Sequence, residues 1–185
     1  RKYDRNVLNS YNANSMDWSV RRQFASFVNP NDPYLLQFIS TQIVQLFNNT
    51  SSPSMNKNIQ RAMQIWSYYR ANGISYVNDR TSSNQADSED DYVKYPFQTL
   101  IQKSGDCEDL LALMAASLSV IGVDCGFIDV PGHVMLAIDT KMTFKECTDS
   151  GFDLAQFIFR NDKYWLPLET TLINKESFAT GWSYA

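Results

Sequence analysis

The stretch that most constrains this chain is Ser104-Gly105-Asp106-Cys107-Glu108-Asp109-Leu110-Leu111. A polar turn runs straight into an apolar run, Leu110 to Ile121, that stops at Gly122. Asp106 is a good helix N-cap, and Asp109 three residues on completes a capping-box-like pair. Gly105 allows a tight approach before the cap. Cys107, Leu111, Met114, Leu118 and Ile121 recur at helical spacing, so a helix is expected with its thiol in the first turn, facing the protein. Orphan N–H groups and the positive dipole end at that position lower a thiol pKa. The carboxylates of Asp106, Glu108 and Asp109 oppose this, so a thiolate here needs a cation from elsewhere in the fold.

The single histidine, His133, opens the apolar run Val134-Met135-Leu136-Ala137-Ile138, bounded by Pro131-Gly132, which reads as a buried strand. One thiol at a helix start and one imidazole distant in sequence is the pairing expected when a fold brings a nucleophile to its base. An imidazolium beside Cys107 would offset the three carboxylates.

Gly105-Asp106-Cys107-Glu108-Asp109-Leu110, Gly122-Val123, Gly132-His133 and Trp165-Leu166-Pro167-Leu168-Glu169-Thr170-Thr171 together resemble the transglutaminase-like superfamily, which includes bacterial transglutaminase-like cysteine proteinases. The resemblance spans residues 60 to 171. It implies an α+β fold of papain-like, transglutaminase-like type, with the nucleophile helix packed on an antiparallel sheet. It also implies roles: Cys107 as nucleophile, His133 as base and Glu169 as the acid that orients the imidazole. Most members carry Asp at the third position; the longer Glu169 can still accept from an imidazole N–H. The implied chemistry is thiol-dependent amide hydrolysis or acyl transfer on a protein or peptide substrate through a thioester, with hydrolysis preferred. Glutamine cross-linking is the first alternative, and a non-catalytic interaction domain of a larger surface protein the second. The Cys107 backbone N–H is one expected oxyanion donor, and Gln98, Tyr95 and Tyr76 are candidates for the other. Asp139 and Asp153 are the rival acids. Trp66, Trp165 and Trp182 read as core, although Trp165, four residues before the acid, is a cleft-lining candidate in this family.

Other chemistries fit less well. No Cys-x-x-Cys or His-x-x-x-His spacing supports zinc, no Gly-x-Ser-x-Gly elbow supports a serine nucleophile, and no metal or cofactor is expected. The acidic run Asp87-Ser88-Glu89-Asp90-Asp91 lacks the alternating ligands and glycine of an EF-hand and reads as a solvated loop. A net charge of −4 with no Lys/Arg block gives no nucleic-acid footprint, and no run is long enough to span a bilayer. Cys125 and Cys147 are either a disulfide pair or two free thiols, one of them buried in a strand; free thiols are preferred. Asn48 and Asn49 fit glycosylation triplets. With no initiating Met, and a composition rich in Asn, Ser, Tyr and Trp, a processed or partial chain of extracytoplasmic or surface location is expected.

In chain order, residues 1–53 read as a helical extension and 54–185 as the catalytic core. Residues 1–14 are a polar arm carrying Tyr3 and Tyr11. Helices are expected over Met16–Val28, over Pro33 to Phe47 with Leu36, Ile39, Ile43 and Phe47 inward, and from Ser54 to Asn72-Gly73. Ile74–Val77 is a short extended piece and Tyr95–Ile101 a helical lead-in. Strands follow at Cys125–Val130 and His133–Asp139. Residues 140–153 read as turns, Phe157–Glu169 as a hairpin around Asn161-Asp162-Lys163, and Lys175–Ala185 as a terminal helix or coil.

Overall fold

Ser15–Asp17 forms a short strand, β1, paired antiparallel with Asp90–Tyr92 through the register Ser15↔Tyr92. The computed structural model describes residues 15–17, 24–47, 55–78, 90–130 and 133–185. The polar arm, the Asn48 and Asn49 triplets, Pro131-Gly132 and the Asp87–Glu89 part of the acidic run lie outside the described residues. The helix expected over Met16–Val28 is corrected at both ends. Met16 is in a strand, and Phe24 to Ser26 make one 3-10 turn. Phe24 and Phe27, three apart, both bury, which a three-residue turn achieves as well as an α-helix.

Asp32 caps α1 (Pro33–Phe38) by accepting from the Tyr34 and Leu35 N–H groups, with Pro33 in the first turn. A π-helical turn, Ile39–Ile43, then leads into α2 (Val44–Phe47). The buried positions are Leu35, Ile39 and Ile43, and Leu36 is exposed, which corrects the expected stripe by one residue. Spacings of four drift around an α-helix of 3.6 residues per turn, and a wider π turn keeps them on one face. Asn56 caps α3 (Lys57–Ala71) by accepting from Asn58 and Ile59, and Gly73 at φ 81° ends it. Ile59, Ala62, Trp66 and Tyr69 bury as their spacing requires.

Ser75–Tyr76 is β2, and Asp90–Tyr92 is β3. After α4 (Pro96–Gln102), Lys103 adopts φ 56° and turns the chain into β4 (Ser104–Gly105), which runs parallel to β2. Helix α5 (Cys107–Val120) follows. Every residue from Glu108 to Leu118 is buried, on all faces and not along one stripe, as expected of a helix sunk in the core. Helices α3 and α4 pack on it, and so does the sheet.

Strands β5 (Cys125–Val130) and β6 (His133–Asp139) form an antiparallel hairpin with Val130↔His133 paired. Residues 140–153, expected as turns, contain α6 (Phe144–Asp149), held by a Thr143/Glu146 capping box with Cys147 buried beneath it. Strands β7 (Ile158–Arg160) and β8 (Lys163–Leu168) are joined through Asn161 and Asp162, both at positive φ, the pattern of a type I′ hairpin turn. The four strands lie in the order β5-β6-β8-β7, and α7 (Phe178–Tyr184) closes the chain. The fold is therefore α+β, with helices first and the antiparallel sheet after them. Leu35, Ile39 and Ile43 share one hydrophobic core with α3, α5 and the sheet. Among the described residues no helix is long and apolar enough to cross a membrane.

Candidate active site

The start of α5 is built as its sequence dictates. The Asp106 carboxylate accepts from the Asp109 N–H at 3.1 Å, and Asp109 accepts in return from the Asp106 N–H at 3.3 Å. Gly105 is obligatory here, because a Cβ on it would lie 2.4 Å from the Asp109 Cβ. Asp109 is fully buried and is met by Lys94, whose ammonium lies 2.5 Å and whose backbone N–H 2.7 Å from its carboxylate oxygens. One of the three carboxylates around the cysteine is thus offset by a lysine that no local sequence signal marks.

Cys107 is partly buried, and its Sγ donates to Glu108 Oε2 at 2.7 Å. Burial pushes the thiol pKa up, and the Glu108 and Asp106 charges push it further the same way. The N-terminal dipole does not outweigh them, so the resting group is a thiol.

His133 heads β6, and the pairing Leu136↔Leu168 carries the end of β8 alongside it. Glu169, the first residue past β8, sends Oε2 to within 2.5 Å of His133 Nε2. A carboxylate acceptor places the proton on Nε2 and leaves Nδ1 as the basic nitrogen. The other oxygen, Oε1, accepts from the Thr171 N–H at 2.9 Å and the Thr171 hydroxyl at 2.6 Å. The rival acids are engaged elsewhere. Asp139 is buried against Lys163 at 2.5 Å, and Asp153 caps the turn Leu154–Gln156.

Tyr76 links the two halves. Its strand lies beside the nucleophile turn, with Tyr76↔Gly105 in register and the Val77 N–H donating to Gly105 O at 2.9 Å. Its phenol pKa is raised by burial first, and the carboxylates of Asp106, Glu108 and Glu169 push it the same way. Helix α5 also packs on the turn Thr170–Leu172 that follows Glu169. Imidazole and carboxylate are therefore in contact, and the turn after Glu169 is met by both α5 and β2. The hydrogen bond that is absent is the one between thiol and imidazole: Cys107 Sγ is turned to Glu108.

Of the three oxyanion candidates, Tyr76 is the one beside the nucleophile. Gln98 Oε1 accepts from the Tyr95 N–H, which fixes the amide without using its N–H donors, and the Tyr95 ring packs on Phe27. Trp165 pairs with Asp139, at the opposite end of β6 from His133, and with Ile128 and Ile158 it lines a cavity of about 570 Å³. Trp66 and Trp182 belong to the core packing, as expected. All three cysteines are free thiols: Cys125 is half-buried in strand β5, and Cys147 is buried in helix α6. Among the described residues no group of three or more His, Cys, Asp and Glu is arranged to hold a metal ion. Thr171 and Lys94 are the site-building residues that sequence reasoning passed over. For Thr171 a signal existed, a hydroxyl two residues after a capping carboxylate. No family model, no curated protein and no solved structure matches the chain.

Proposed function

We propose that the chain is a thiol-dependent amide hydrolase acting on a protein or peptide, with a transglutaminase-like, papain-like core. The observation that carries this reading is the His133–Glu169 pair at 2.5 Å, followed by a turn on which both the Cys107 helix α5 and strand β2, the partner of Gly105, pack. In the proposed reaction the Cys107 side chain turns from Glu108 toward His133, and Nδ1 takes its proton. Sγ attacks the amide carbonyl carbon, forming a C–S bond and an oxyanion. Collapse breaks the C–N bond, and the imidazolium gives its proton to the departing amine. Water, deprotonated by Nδ1, then attacks the thioester, which releases the acid and returns the thiol. Glu169 holds the Nε2–H tautomer throughout, and the Cys107 N–H with Tyr76 stabilises the oxyanion.

Cross-linking follows the same steps with a lysine amine in place of water. A second reading, an interaction domain without catalysis, is favoured by the Cys107–Glu108 hydrogen bond. The experiment is mass spectrometry of a general protein substrate incubated with the chain, with and without an added primary amine. Cleaved or deamidated products that vanish with Cys107→Ala and His133→Ala support hydrolysis, and amine adducts support cross-linking. No product, with Cys107→Ala equal to wild type, overturns the catalytic reading.

A further inference from the structure

We infer that Thr171 is the positioning residue that lets a glutamate serve as the third member of this site; this rests on the catalytic reading above. Glu169 carries one more methylene than an aspartate would, and with it one more torsion that ordering must freeze. Its backbone is tied first: the Glu169 N–H donates to Gly181 O at 3.0 Å, against α7. Gly181 is held there by packing, since a Cβ on it would lie 2.9 Å from the Trp66 ring. Its carboxylate is tied second. Glu169 is itself the N-cap of the turn Thr170–Leu172, so Oε1 collects the Thr171 N–H and, at 2.6 Å, the Thr171 hydroxyl. With Oε1 fixed by two donors, the carboxylate plane is set and Oε2 can point only at His133 Nε2.

This geometry requires the full length of a glutamate. An aspartate at position 169 could still cap Thr171, but its second oxygen would fall short of His133 by one C–C length, about 1.5 Å.

The test uses the fact that the chain has a single histidine. The Nε2–H proton of ¹⁵N-labelled protein is then one assignable resonance, protected from exchange when the Glu169 bond is intact. Thr171→Val keeps the backbone donor and removes the hydroxyl. It is expected to lose that protection and to lower kcat by ~10-fold, with KM unchanged. Thr171→Ser restores both, and Glu169→Asp loses both. Wild-type protection and kcat in Thr171→Val, or in Glu169→Asp, overturn the inference. Should Thr171→Val fail to fold, Glu169→Asp against Thr171→Ser decides. If wild type and Cys107→Ala are equally inactive, the catalytic reading fails, and the proton resonance alone still decides whether Thr171 sets the carboxylate.

Discussion

Replacing Glu108 by Gln should make Cys107 more reactive, which runs against the usual expectation for a change beside a nucleophile. The Glu108 carboxylate lies 2.7 Å from the sulfur and favours the protonated thiol. With an effective dielectric constant of ~40, between that of surface protein pairs and bulk water, a unit charge at that distance is worth ~3 kcal/mol, or ~2 pKa units. Gln keeps the shape and an acceptor oxygen but removes the charge. Below the thiol pKa the thiolate fraction should rise ~100-fold. The less basic sulfur is a poorer nucleophile by just under ten-fold on a Brønsted slope of ~0.45, so a net gain of ~10-fold in alkylation rate remains. The assay is iodoacetamide labelling read by peptide mass mapping, which separates Cys107 from Cys125 and Cys147, across pH 6 to 11. The sign is unambiguous. In wild type the pKa is raised, so the rate keeps climbing above pH ~8.5, where an ordinary thiol levels off; in Glu108→Gln the plateau moves to lower pH. Equal rates at neutral pH, or a wild-type plateau already reached at neutral pH, would refute the reasoning, because the sulfur would then not be governed by Glu108.

Three further outcomes follow from the packing around the site. Gly105→Ala places a methyl 2.4 Å from the Cβ of Asp109, whose buried carboxylate is held by Lys94 and the Asp106 N–H, and should cost ~2–3 kcal/mol in urea unfolding. Lys94→Met leaves the fully buried Asp109 carboxylate without its cation and should cost ~3–5 kcal/mol, with a smaller loss in the Lys94→Met/Asp109→Asn double variant as the sign that the unpaired charge is responsible. Asp162→Gly relieves a left-handed residue in the β7–β8 turn and should stabilise by ~1 kcal/mol, read as a Tm rise of a few degrees; a lower Tm would show that the aspartate makes a compensating contact.

The elements legible from sequence are those whose signals are local. Asp106 with Asp109, Asp32 with Pro33, and Gly73 each act within a turn or two of themselves, and all three work as their residue types require. The β7–β8 hairpin is likewise written in two adjacent residues that tolerate positive φ. Where the structure departs from the sequence reading, each departure has its own physical reason. Met16 pairs with Asp91, far along the chain, and pairing of that range has no local mark. Helix α6 buries one residue of its own, Cys147, too few to create an amphipathic period, although the Thr143-x-x-Glu146 cap was present to be read. Leu36 is exposed because in an α-helix a spacing of four brings Leu35 nearer to the Ile39 face than a spacing of three brings Leu36, and the π turn then keeps Ile43 on that face.

The sequence by itself determined the chemistry available at position 107: a thiol at a capped helix start with acidic neighbours on either side. Those are covalent and nearest-neighbour facts, and no packing could change them. Only the tertiary structure decided which charges act on that sulfur and which are offset. It brought Lys94 to Asp109, left Glu108 as the thiol's acceptor, set Tyr76 beside Gly105, and closed His133 on Glu169 with Thr171 behind it. Electrostatic effects fall off with distance in space and not along the chain, so residues far apart in sequence set the state of one sulfur atom.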